Sequence, residues 1–149
     1  LNFTVKLEPT TYELQTIEVL PKDYETKLVG NHLTNQNIHA GFMNNLLGHE
    51  IGTRVKIKSR PALIEKIHIY INHCKYDSIF YRLNIYELDG KKPGRNILKS
   101  PIYLSYSKEE ALEGIVLDIK QHYVMVEDDF FVSVELVKDL GERGLMFAA

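Results

Sequence analysis

The chain has 149 residues, one cysteine and a net charge of −2. Hydrophobic residues make up 44% and charged residues 26%, which is typical of a globular domain rather than a disordered chain. The charge balance argues against a dedicated nucleic-acid binder, which would carry a basic excess. No apolar run approaches the ~18–20 residues of a membrane span, and the single thiol of Cys74 allows no disulfide within the chain.

Two strands are predicted at the start of the chain, over "NFTVKLEP" and "YELQTIEVLP", because apolar and polar residues alternate in both. Residues 22–40 are irregular and rich in asparagine, which predicts a linker. One helical turn is predicted to end near Gly48. The main domain is therefore predicted over residues 41–149.

Short strands dominate the prediction for the main domain. In chain order they cover "TRVKIKS", "LIEKIHIYINH", "SIFYRLNIYELD", "PIYLSY", "GIVLDI", "HYVMV", "DDFFVSVELV" and "GLMFA". The segment "LDGKKPG" predicts a turn, and Ser107 followed by Glu110 predicts a capping box at the start of a short helix. Roughly seven to nine strands with almost no helix predict an all-β fold, an antiparallel jelly-roll-like β-sandwich preceded by an extended N-terminal segment.

No catalytic motif is present, and no pair of histidines has the spacing of metal ligands on one strand or helix. We therefore predict no catalytic residue, no metal, no cofactor and no enzyme activity. A hydrolase remains an alternative, in which two of Glu87, Asp118 and Glu135 would converge in a cleft about 5–9.5 Å apart.

An acidic group is formed by Asp118 with Glu127, Asp128 and Asp129. Carboxylates of this kind can bind calcium when several of them converge. A solvated acidic turn between two strands is the favoured interpretation.

Two polar stripes are the most informative feature of the predicted strands. If the two strands pair as a hairpin, six side chains share one face: His68, Tyr70, Asn72, Arg82, Asn84 and Tyr86. Such a face would suit a sugar, because aromatic rings cover its apolar side and Arg and Asn hydrogen-bond its hydroxyls. Two alternatives are a merely solvated sheet face, and a buried Arg82 paired with a carboxylate as a structural element.

The sequence resembles the C-terminal β-sandwich of exported Bacteroidetes proteins that begin with a carboxypeptidase-regulatory-like β domain. The resemblance rests on "GFMNNLLGHEIG", "IEKIHIYINHCKYDSIFYRLNIYELDGKKPGRNIL", "GIVLDI" and "DDFFVSVELV". The segment "VKLEPTTYELQTIEVLP" resembles the last strand of the preceding domain in that family. Residues 1–21 are accordingly interpreted as the end of such a domain in a truncated chain.

The resemblance implies export to the periplasm or cell surface, but it supplies no activity and no site residues. Family members often have a tryptophan where this chain has Ile115, and the chain has no tryptophan. We predict a non-catalytic accessory or binding module with a carbohydrate or cell-envelope ligand. The alternative is a purely structural or protein-interaction domain. Self-association through the strand in residues 1–21 is a further hypothesis, because a free strand is a template for pairing.

Overall fold

A computed structural model of the protein describes residues 25–31, 39–42, 46–141 and 144–148. Both strands predicted near the start of the chain lie outside these residues. So does most of the predicted linker. The hypothesis of self-association through residues 1–21 also falls outside the described part of the chain.

The described residues form twelve strands and one short α-helix, with a 3₁₀ turn at Lys120–His122. In chain order the elements are β1 (His39–Gly41), β2 (Glu50–Val55), β3 (Ala62–Ile64), β4 (Lys66–Ile69), β5 (Ile71–Cys74), β6 (Ser78–Asp89), β7 (Lys92–Asn96), β8 (Ile102–Ser107), α1 (Lys108–Glu113), β9 (Ile115–Asp118), β10 (Val124–Val126), β11 (Phe130–Leu136) and β12 (Leu145–Ala148).

The strands pair in a nested antiparallel order. Strand β1 pairs with β12, β2 with β11, β3 with β10, β4 with β9, and β6 with β8. The chain is thus a long antiparallel ribbon folded over on itself, which is the topology of a jelly roll. The predicted all-β sandwich is confirmed.

The largest sheet has the order β2-β11-β6, and both β7 and β8 pair with the remaining edge of β6. Successive side chains of a strand point to opposite faces, and Ile79, Tyr81, Leu83 and Ile85 of β6 are buried. These four side chains point inward, so Arg82 and the other even-numbered residues of β6 lie on the outer face of this sheet.

The core lies between the five-stranded sheet and the β4-β9 and β5-β12 ladders. A small apolar space of about 10 Å³ is lined from both sides, by Ile69, Ile71, Ile115, Leu145 and Phe147 on one side and by Ile79, Tyr81, Leu104 and Val134 on the other. Ile69 and Ile71 therefore point inward, and Ile67 also packs against the core. The polar residues between them face the opposite outer surface of the sandwich.

The segment predicted as one strand over residues 63–73 is three strands. The strand is interrupted at Tyr70, between β4 and β5. The β5-β12 register shifts by one residue, because Met146 pairs with His73 and the next residue, Phe147, pairs with Ile71. The β-bulge at Asn72 allows both Ile71 and Cys74 to be buried. The alternation of apolar residues in the sequence does not reveal the interruption at Tyr70 or the bulge at Asn72.

Two predicted turns differ from the structure. The segment "LDGKKPG" runs from the end of β6 into the first three residues of β7, so the turn itself is confined to Gly90, with φ of 62°, and Lys91. Residues 46–48 form a turn that His49 closes by donating its backbone N–H to Leu46 O at 3.2 Å. The predicted helical turn before Gly48 falls partly outside the described residues.

The capping box predicted for α1 is confirmed. The Ser107 hydroxyl accepts from the Glu110 backbone N–H at 3.3 Å, and the Glu110 carboxylate accepts from the Ser107 N–H at 2.8 Å. Ala111 is the buried residue of this helix. Neither α1 nor any other helix in the described part of the chain has the length and apolar character to cross a membrane.

Candidate functional site

The outer face of the five-stranded sheet carries three rows of aligned side chains. The strand registers place Glu50, Glu135, Arg82 and Tyr103 in the first row, Gly52, Ser133 and Asn84 in the second, and Arg54, Phe131, Tyr86 and Asn96 in the third. Neighbouring strands lie ~4.8 Å apart, so each row is a continuous strip of side chains across the sheet.

Glu135 is the centre of a hydrogen-bond network in the first two rows. Its carboxylate is buried and accepts from Arg82 Nε at 2.8 Å and from Arg82 Nη2 at 2.7 Å. Asn84 Nδ2 donates to the same carboxylate at 2.8 Å, and Asn96 Nδ2 donates to Asn84 Oδ1 at 2.9 Å. A fork-shaped guanidinium on a carboxylate is a strong and directional pair, so this part of the floor is held in one geometry.

Glu50 lies opposite Glu135 on the edge strand β2 and has a different set of partners. Its two oxygens accept from the hydroxyls of Tyr86, at 2.7 Å, and Ser133. Gly52, two residues further along β2, packs closely against β11. A Cβ atom at this position would lie 2.5 Å from Val132 O and 2.6 Å from the Ser133 Cβ.

The connection between β7 and β8 forms one wall of a cleft above this floor. Ile97 donates to Ile85 O at 2.8 Å, and Ile102 pairs with Leu83 only two residues away along β6. Residues 98–101 must therefore stand off the sheet. The resulting cleft of about 330 Å³ is lined by Glu50, Arg82, Leu83, Asn84, Tyr86, Asn96, Leu98, Lys99, Ser100, Pro101 and Glu135.

The loop has two hydrogen-bonding contacts, one with β7 and one with the 3₁₀ turn. Leu98 donates its backbone N–H to Asn96 Oδ1 at 3.0 Å. Ser100 Oγ lies 3.5 Å from His122 Nδ1 of the 3₁₀ turn. These contacts hold the wall in place while the Lys99 side chain remains exposed.

The cleft perturbs two titratable groups. The hydrogen bonds from Arg82 to Glu135 raise the pKa of Arg82 and stabilise its charged form. Burial, followed by the hydrogen bond to Glu50, raises the pKa of Tyr86 to about 12. At neutral pH the floor therefore presents a guanidinium cation and a protonated phenol.

The structure brings together only half of the predicted binding residues. Arg82, Asn84 and Tyr86 all line the cleft. The hairpin that would have placed His68, Tyr70 and Asn72 beside them is wrong, because β6 pairs with β11, β7 and β8, whereas β4 and β5 pair with β9 and β12. Since β4 and β5 lie across the core, the two predicted stripes belong to opposite sides of the sandwich.

The predicted stripe of His68, Tyr70 and Asn72 does not form a regular face. His68 and Tyr70 are exposed, and Asn72 is half-buried at the bulge, with an Nδ2 atom that is buried and has no hydrogen-bond partner. These three residues form no joint hydrogen-bonded site among the described residues.

The carboxylates proposed for a hydrolase do not converge. Glu87 lies opposite Phe130 on β11, five residues from Glu135 and therefore ~17 Å along the strand. Asp118 belongs to β9 across the core, where it accepts from the Lys120 N–H at 3.0 Å. That arrangement of carboxylates is therefore wrong.

Two carboxylates of the acidic turn already have hydrogen-bond or ion-pair partners within the protein. Asp129 accepts from Arg54 at 2.9 Å and from the Ile57 N–H at 3.1 Å, and Asp128 pairs with Arg60 at 2.8 Å. The Ile57 hydrogen bond, followed by Arg54 and Arg60, lowers the pKa of Asp129. No group of three or more acidic, histidine or cysteine side chains suited to a metal occurs in the described residues.

Sequence reasoning missed several residues of the cleft. Glu50, Asn96, Lys99 and Ser133 all belong to the cleft or its hydrogen-bond network. Asn96 and Lys99 follow a segment that was predicted to be a turn, Ser133 was visible only as part of the polar half of an alternating strand, and Glu135 was considered only as a carboxylate of the hydrolase alternative. Their convergence depends on the β2-β11-β6 order, which the sequence pattern does not reveal.

Comparison of the chain with protein-family models, with curated proteins and with solved structures found no match. The cleft is therefore interpreted from its own geometry and chemistry.

Proposed function

We propose that this protein is a non-catalytic binding module that holds a carbohydrate in the cleft on the outer face of the five-stranded sheet. The observation that carries the proposal is a cleft of about 330 Å³ whose floor is a fixed hydrogen-bond network and whose wall is a loop. A rigid set of donors and acceptors is preorganised, so little ordering opposes binding.

The chemistry of the floor suits hydroxyl groups. The hydrogen bonds from Arg82 to Glu135 use Nε and Nη2, so the Nη1 group retains N–H donors for Tyr103 or a ligand. The carboxylate of exposed Glu50 accepts one bond at each oxygen and has further lone pairs. Neighbouring hydroxyls of a sugar can donate to such a carboxylate and accept from such a guanidinium.

An aromatic surface adjoins this floor. Tyr103 lies opposite Arg82 on β8 and stacks on Phe80, with 5.3 Å between the ring centroids and 10° between the planes. Tyr103 is also among the exposed large side chains. A ring beside hydrogen-bonding groups is the combination that was predicted to suit a sugar, and Tyr103 adds a ring that was not predicted beside Arg82.

A structural or protein-interaction role is the second candidate. It is favoured by the paired state of Arg82, since Glu135 and Asn84 are both buried in the same network. In this view the network fixes the β11-β6 register and the cleft has no ligand. The resemblance to exported proteins supports either role, and we propose export on that basis alone.

A screen of the purified protein against immobilised oligosaccharides tests the proposal, with the best ligand then titrated by calorimetry. We expect Asn96→Ala to weaken binding by about tenfold or more, because it removes a side chain from the cleft and a bond to Asn84. His68→Ala is the control, since this exposed residue lies on β4.

Two results would contradict the proposal. Failure of the parent protein to retain any oligosaccharide would favour the structural role. Loss of binding in His68→Ala, with Asn96→Ala unaffected, would move the site to the other surface of the sandwich.

A further inference from the structure

The charges that line the cleft are not equally neutralised. Arg82 and Glu135 form a bidentate ion pair with each other. Glu50 accepts only from the neutral hydroxyls of Tyr86 and Ser133, and Lys99 is exposed. Neither Glu50 nor Lys99 takes part in any ion pair identified within the described ranges.

These two charges approach the cleft from opposite sides. Glu50 lies on β2, at one edge of the β2-β11-β6 order, and Lys99 lies in the loop along the far edge of β6. Three strand spacings separate their backbones by ~14 Å across the sheet. The Glu50 carboxylate extends inward as far as the Tyr86 hydroxyl of β6, and a lysine side chain is long enough to extend inward from the loop.

We propose that the cleft is selective for a zwitterionic sugar, one that carries both an ammonium group and a carboxylate. The ammonium group would lie against Glu50 and the carboxylate against Lys99. This inference rests on the proposed carbohydrate-binding function and specifies the ligand class. The adjacent Arg82–Glu135 pair has no net charge, so it favours neither a cation nor an anion.

Charge complementarity gives specificity because a wrong ligand leaves one protein charge without a partner. A neutral sugar satisfies neither Glu50 nor Lys99 as an ion. A purely cationic sugar is attracted by Glu50 but repelled by Lys99, and a purely anionic sugar has the reverse problem. Only a ligand with both charges engages both sides of the cleft.

Four monosaccharides of different charge class provide the test: neutral glucose, cationic glucosamine, anionic glucuronic acid and zwitterionic muramic acid. Dissociation constants are measured by NMR titration at low and high salt. We expect muramic acid to bind at least tenfold more tightly than glucose at low salt, and this preference to shrink at high salt because exposed charges are screened.

Two variants assign the charges. Glu50→Gln keeps the hydrogen-bond acceptor at the end of the side chain but removes the charge, so it should abolish the preference for muramic acid over glucuronic acid. Lys99→Gln should abolish the preference for muramic acid over glucosamine. Glu109→Gln and Lys91→Gln are matched controls, because both residues are exposed and lie on α1 and in the β6-β7 turn, and neither should change the order of affinities.

The outcomes separate this inference from the proposed function. Equal affinities for all four sugars, or a preference for muramic acid that survives in Glu50→Gln, would overturn the zwitterion inference and leave carbohydrate binding intact. Binding of none of the four, together with a negative oligosaccharide screen, would overturn both. Circular dichroism of each variant establishes that an altered affinity does not reflect an unfolded protein.

Discussion

Replacement of Arg82 by methionine is the most direct test of the network that forms the cleft floor. Methionine replaces the aliphatic part of the arginine side chain, but it has no guanidinium and donates no hydrogen bond. The Glu135 carboxylate would lose both contacts to the guanidinium and keep only Asn84 Nδ2 as a described side-chain donor. It would also lose its cationic partner.

The expected cost follows from the exposure of the two partners. The Glu135 side chain is 10% exposed and the Arg82 side chain 37% exposed. Breaking a fully buried ion pair costs about 3–5 kcal/mol, whereas a fully exposed pair contributes ~0–1 kcal/mol. Because water reaches the arginine but hardly the glutamate, we expect Arg82→Met to lower the free energy of unfolding by ~2–3 kcal/mol at neutral pH.

Urea titration followed by far-ultraviolet circular dichroism measures this change, since the chain has no tryptophan to report unfolding. Arg95→Met is the matched control. Arg95 pairs with Glu87 at 3.3 Å, but its side chain is 78% exposed, so the control should change stability by less than about 0.5 kcal/mol.

A double variant tests the cause of the loss. In Arg82→Met with Glu135→Gln, no charge remains buried at position 135 and Asn84 can still donate to the glutamine amide oxygen. We expect this variant to recover about 1 kcal/mol or more relative to Arg82→Met. A change below about 0.5 kcal/mol in Arg82→Met itself would refute the role of Arg82 as the partner of a buried carboxylate.

Three further predictions concern the cleft and the acidic turn. Gly52→Ala should cost ~1–3 kcal/mol in urea titration, because its Cβ would lie 2.6 Å from that of Ser133, and an unchanged midpoint would contradict the close packing. Burial raises the pKa of Tyr86 to about 12, so the stability that the protonated phenol contributes should be lost as pH rises from about 10 to 12. Tyr86→Phe should therefore lose less stability at alkaline pH than the parent. The pKa of Asp129 is lowered chiefly by the hydrogen bond from the Ile57 N–H, so Asp129→Asn should be less stable than the parent at pH 7. The difference in unfolding free energy should shrink as pH falls below 3.8 through the lowered pKa. A difference that stays constant with pH would exclude the Asp129 carboxylate as its cause.

The sequence by itself determined the strand content and much of the inward alternation. In β6 the residues that alternate with the predicted polar stripe are buried, and the capping box of α1 is present as predicted. These features depend on local physics, because a strand with one buried face must alternate and a helix start needs a side-chain acceptor. They are therefore legible in a few consecutive residues.

The site could be predicted only in part. Arg82, Asn84 and Tyr86 were identified because polar groups on one stripe of a strand are unusual beside a core. The neighbouring stripe was assigned by sequence proximity, and β4 and β5 instead pair with β9 and β12 across the core. Chain neighbours need not be sheet neighbours in a jelly roll, because the ribbon folds back on itself.

The tertiary structure alone decided which carboxylate pairs with Arg82, which one accepts from Tyr86, and which residues form the wall of the cleft. Glu50 and Glu135 are far apart in the chain but adjacent across β2 and β11. Asn96 and Lys99 reach the same cleft because the connection from β7 to β8 departs from the edge of β6 beside Ile85 and returns to it beside Leu83. Strand order and register arise from long-range pairing and core packing, and the period-two pattern of a single strand carries no information about its partner.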